Sequence, residues 1–60
     1  MFAVMVKPSA RNRICTKGLV WVKDAQHPFY VGKKDRGLWP TKAEAEKAIT
    51  EVYEVVVEID

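Results

Sequence analysis

The chain has 60 residues, a hydrophobic share of 48% and a formal net charge of +2. One Cys and one His exclude an internal disulfide and a zinc site built from Cys and His alone. A domain this short buries only about 60% of its unfolded surface, so its stability margin is thin. Two Trp, two Tyr and two Phe argue against disorder and for one packed domain over residues 1–60. Self-association as a homodimer would be a natural supplement to so small a core.

In chain order, "FAVMV" (2–6) reads as a strand apolar on both faces, as in a central strand or one paired at a dimer edge. "PSA" ends it. The apolar lead before Lys7 is too short for a signal-peptide core or a bilayer span, so a cytoplasmic protein without membrane contact is expected. A chain that starts at Met with no tag or linker is also expected to be a complete small reading frame. "RNRICTKG" (11–18) admits a short strand around Ile14 and Cys15, with Arg11, Arg13 and Lys17 sharing one face if the stretch is extended. "LVWVK" (19–23) and "FYVGK" (29–33), on either side of the turn "DAQHP", predict a hairpin. Leu19, Trp21 and Lys23 fall on one face, Val20 and Val22 on the other. Trp21 and Phe29 are expected to pack beneath a helix.

That helix is announced by "TKAE" at Thr41, a capping box in which the Thr hydroxyl accepts from the Glu44 N–H. Ala45, Ala48, Ile49, Val52 and Tyr53 then form the stripe of a helix laid on a sheet, predicting a helix over 41–53. "EVVVEID" (54–60) alternates as a final strand. No Gly or Asn separates Tyr53 from Val55 to end the helix in the usual left-handed way. The connection is therefore very tight, or the last strand is exchanged between the chains of a dimer. The expected fold class is α+β: a mostly antiparallel sheet of three to four strands with one helix on one face, in the order β-(β)-β-β-α-β.

The glycine pair in "GKKDRGLW" (32–39) has the spacing of a phosphate-binding P-loop. Leu38 and Trp39 stand where that loop needs Lys and Ser or Thr, and Glu44 sets a negative charge on the helix start that an anion would have to approach. The stretch reads as a connector with a solvated basic tip, and no cofactor or metal is expected. Cys15 and His27 are each single and lie in no catalytic signature, so the chain is not expected to be an enzyme.

Binding readings remain. Residues 1–40 carry eight Lys or Arg against two Asp (+6), and residues 41–60 carry two Lys against six acids (−4). Such asymmetry suits a macromolecular partner. The leading expectation is a small protein-binding inhibitor or regulator of the phage or mobile-element type. Tyr30, Lys33, Lys34, Arg36 and Trp39 would form its contact patch, because Trp, Tyr and Arg dominate binding hot spots. The alternative is nucleic-acid binding through Arg11, Arg13, Lys17, Lys23, Lys33, Lys34 and Arg36, with aromatics interleaved to stack bases. The acids Glu51, Glu54, Glu58 and Asp60, with Glu44, offer a third surface, one that mimics nucleic-acid charge toward a basic groove.

Overall fold

A computed structural model of the chain describes residues 1–15 and 17–59. Thr16, inside the expected short strand, and Asp60, an acidic-face candidate, lie outside them. The elements are strand β1 (Phe2–Val6), a 3-10 turn (Pro8–Ala10), helix α1 (Arg11–Ile14), a second 3-10 turn (Lys33–Asp35), helix α2 (Lys42–Glu46) and strand β2 (Glu54–Glu58). β1 and β2 pair antiparallel, with Phe2 opposite Glu58, Val4 opposite Val56 and Val6 opposite Glu54.

The fold is a small α+β arrangement, but the expected sheet of three to four strands is not formed. Among the described residues the sheet has two strands, flanked by isolated bridges Phe2–Trp39, Met5–Trp21 and Trp21–Val31. The reason lies in the partners of two carbonyls. Val6 N–H donates to Val20 O and Val22 N–H to Val4 O, so residues 20–22 do lie beside β1. The return bonds are diverted: Val6 O accepts from Arg11 Nε at 3.1 Å, and Val22 O accepts from the Gly37 N–H at 3.0 Å. The predicted hairpin over 19–33 is reduced to a mutual pair of hydrogen bonds between Trp21 and Val31. Its turn is folded by Asp24, whose Oδ1 accepts from the N–H of Gln26 (2.9 Å) and of His27 (2.7 Å), an Asx turn. Arg11–Ile14 is a turn of helix rather than a strand.

The predicted helix over 41–53 is also shortened, to Lys42–Glu46. Its start is as the sequence implies: Thr41 Oγ1 accepts from the Glu44 N–H at 3.2 Å. Its end follows from the β-branched Ile49, Thr50 and Val52, which are poor helix formers. The Thr50 N–H, which a continuing helix would send to Glu46 O, goes to Glu54 Oε1 at 2.9 Å. The stripe breaks with it, and Val52 stands 91% exposed. Residues 47–53 then return the chain so that β2 pairs with β1 of the same chain; strand exchange is not needed to satisfy it.

Val4, Val22, Ala45 and Ala48 make the buried cluster, with Phe2, Tyr30, Trp39, Ile49 and Val56 packed against it. Ala45 is the one buried residue of α2, with Ala48 just beyond its end, so α2 buries little area of its own. Its start then depends on the cap. We expect Thr41→Ala to cost about 1 kcal/mol and to lower Tm by roughly 4–8 °C in a thermal melt; an unchanged Tm would show that α2 does not depend on this hydrogen bond.

Candidate functional site

Residues directly opposed in an antiparallel pair place their side chains on the same face. Phe2, Val4, Val6 and Val56 thus share a face with the buried cluster under α2. Ala3, Met5, Val55 and Val57 share the other, and the Met5–Trp21 and Trp21–Val31 bridges add Trp21 and Val31 to it. Helix α2 lies on the first face, and Arg11 is the α1 side chain that reaches onto this second one. Met5, Trp21, Val31, Val55 and Val57 are all only half-buried there, and Ala3 alone is closed off.

Two arginines lie across that face. The Arg36 guanidinium sits over the Trp21 ring, 4.4 Å from its centroid, a cation–π contact. Arg11 reaches from α1 to donate to Val6 O and to touch Met5 Sδ at 3.6 Å. The Arg36 guanidinium thus lies on the Trp21 ring and the Arg11 guanidinium against Met5. The face is therefore apolar at its centre and cationic above.

The expected contact patch is divided by the fold. Lys33 and Lys34 are exposed on the 3-10 turn beside Asp35. Arg36 lies over Trp21. Tyr30 and Trp39 turn to the helix side and pack against the core. Trp21 is not beneath the helix as expected, and Phe29 is 72% exposed. Period two carried the signal for Trp21: it alternates with the buried Val22 and shares its face with Lys23, which is the mark of the solvent side.

Of the nucleic-acid candidates, Arg13, Lys17, Lys23, Lys33 and Lys34 are exposed, and Arg11 and Arg36 are half-buried on the second face. Of the acidic candidates, Glu51 and Glu58 are exposed, as is Glu44 at the start of α2, while Glu54 is 6% exposed. Glu54 accepts from the Tyr30 hydroxyl at 2.6 Å and from the Thr50 N–H. Burial first, and then this bond, push the Tyr30 hydroxyl well above the usual tyrosine range.

Phe29 stands between two grooves. One, of about 400 Å³, runs past His27, Glu51 and Glu54. The other, of about 480 Å³, is lined by Ile14, Cys15, Lys17 and Leu19. Cys15 and His27 line different grooves. Burial raises the Cys15 thiol pKa, partly opposed by Arg11, which works against a reactive thiolate. Among the described residues no three His, Cys, Asp or Glu side chains gather as metal ligands, and no helix is long and apolar enough to cross a membrane.

No family model, curated protein or solved structure matches the chain. The site must be read from its own geometry.

Proposed function

We propose that the chain is a protein-binding module whose contact surface is the sheet face opposite α2. The observation that carries this reading is the Arg36 guanidinium over Trp21, at the centre of a face where Met5, Val31, Val55 and Val57 are left half-buried. A two-strand sheet gains stability by covering an apolar face, and Trp and Arg are both enriched among the residues that anchor protein interfaces. The cations over it favour a partner surface that is apolar with carboxylates at its margin. The Trp21 ring is already faced by Arg36, which favours this over base stacking.

The test is capture from a lysate by immobilised protein. Wild type and Lys42→Glu, whose charge lies on α2 away from the face, should retain the same protein partner. Arg36→Glu should lose it by about tenfold or more, the size of a hot-spot contact, while keeping the wild-type circular dichroism spectrum. Equal capture by Arg36→Glu would sink the reading. So would binding to random DNA or RNA that falls steeply with salt and is abolished by Lys33→Glu with Arg36→Glu, the behaviour of the nucleic-acid alternative.

A further inference from the structure

We infer that the outer edge of β2 accepts an extended segment of a protein partner, one with Lys or Arg at alternate positions. The inference rests on the protein-binding reading and adds the mode of contact. It begins with which way the backbone of β2 points. Lys7 N–H donates to Tyr53 O, and Ile59 N–H to Met1 O, so the odd-numbered residues of β2 carry the hydrogen bonds to β1. On the β1 side, Phe2 exchanges both bonds with Trp39, Val4 O accepts from Val22, and Val6 donates to Val20 O and accepts from Arg11 Nε. Hydrogen bonding alternates along an antiparallel pair. Val56 and Glu58 therefore aim both N–H and C=O away from the sheet, and Glu54 aims its C=O there; the Glu54 N–H is taken by Glu51 O.

Protein edges are commonly blunted by proline, bulges or lysine. "EVVVE" has none of these, and the strand runs unbroken from Glu54 to Glu58. The charge at this edge selects its occupant. Glu58, at the C-terminal end of the strand, is exposed and would sit beside the incoming strand. A second copy is disfavoured: centred on Val56, self-pairing would set Glu58 of each chain against Glu54 of the other, and like charges directly opposed destabilise a sheet. A strand with cations at alternate positions meets Glu58 with the opposite sign, and its apolar residues fall on the face of Val55 and Val57. This is strand addition, in which main-chain hydrogen bonds supply affinity and alternate side chains supply selectivity.

The probe is a blocked synthetic peptide, Lys-Val-Lys-Val-Lys-Val, with Glu-Val-Glu-Val-Glu-Val as its control. Two measurements are made on the whole chain: affinity by fluorescence anisotropy, and amide hydrogen exchange by NMR. The basic peptide should bind more tightly than the acidic one and slow exchange at Val56 and Glu58 by about tenfold or more. Glu58→Pro removes only an outward N–H and an exposed side chain, and proline is tolerated in an edge strand at such a site. It should fold as wild type and bind the peptide about tenfold more weakly. Unchanged exchange at those two amides, equal binding by Glu58→Pro, or a peptide-free dimer with the same amides protected would each overturn the inference. Arg36→Glu should leave peptide binding unaltered, because Arg36 lies on the face and not at the edge. Loss of peptide binding with partner capture intact therefore refutes strand addition alone; the converse refutes the face reading alone.

Discussion

Gly37→Ala should be the most damaging small substitution in the chain, costing on the order of 3 kcal/mol. A Cβ on Gly37 would fall on the Lys23 carbonyl oxygen, with Trp39 Cη2 2.7 Å away and the Lys23 carbonyl carbon 3.1 Å away. Neither backbone group can step aside, because the Gly37 N–H is itself bonded to Val22 O. Relief requires residues 36–37 to leave residues 22–23. That breaks the hydrogen bond, lifts Arg36 from Trp21 and disturbs the Phe2–Trp39 bridge. A 60-residue domain holds roughly 3–9 kcal/mol in total, so the variant should be largely unfolded at 37 °C, with Tm lowered by about 15 °C.

The other two glycines supply the comparison. At Gly32 the nearest atom to an added Cβ is Leu19 Cδ2 at 3.8 Å, ordinary contact. Gly32→Ala should be close to neutral. Gly18 has open space around it but a φ of +74°, so Gly18→Ala should cost about 1 kcal/mol from backbone strain alone. A Gly37→Ala melt that matches Gly32→Ala would mean that residues 36–37 do not lie against 22–23.

What was legible in the sequence and what was not divides along the range of the interactions. β1, β2 and the Thr41 cap follow from alternation and capping chemistry, which act within a few residues. The shortening of the helix does not, because it turns on Glu54 taking the Thr50 N–H, a contact that no periodicity reports. The failure of residues 20–22 to join β1 as a third strand turns on Arg11 and Gly37 taking carbonyls that a ladder would have used, again across the chain. The candidate patch fails to assemble for a related reason. Tyr30, Arg36 and Trp39 are near neighbours in sequence, but alternation and the turn over 33–35 send Tyr30 and Trp39 to one side of the sheet and Arg36 to the other. The glycine pair that resembled a phosphate loop by spacing is explained by one close backbone crossing at Gly37. Residues 54–58 carried a usable signal about the edge: the strand lacks proline and lysine, so the charges that guard it as an edge are Glu54 and Glu58.

Glu54 is the second position where a single change should be severe, and pH separates its parts. Its buried carboxylate holds the Tyr30 hydroxyl and the Thr50 N–H, tying residue 30 and the 47–53 return to β2. Glu54→Ala leaves both donors without their acceptor and should cost about 3 kcal/mol, since hydrogen bonds to charged groups contribute roughly 1.5–3 kcal/mol each. Tyr30→Phe removes only one and should cost less. In the double variant the two losses should fall short of additive by about 1 kcal/mol or more, the mark of a direct pair. The Tyr30 hydroxyl titrates well above its ordinary value, through burial first, then through Glu54, with Tyr53 adding to the rise. An unfolded tyrosine ionises near pH 10. The folded chain therefore binds the proton where the unfolded chain has released it, and stability must fall as pH rises. The Tyr30 contribution is whole below about pH 10 and is lost progressively above it. Denaturation at a series of pH values between about 8 and 11 should show wild type losing its advantage over Tyr30→Phe only at the alkaline end. A difference that stays flat across that range would mean that the hydroxyl is neither buried nor held by Glu54 as described, and the tie between residue 30 and β2 would be lost with it.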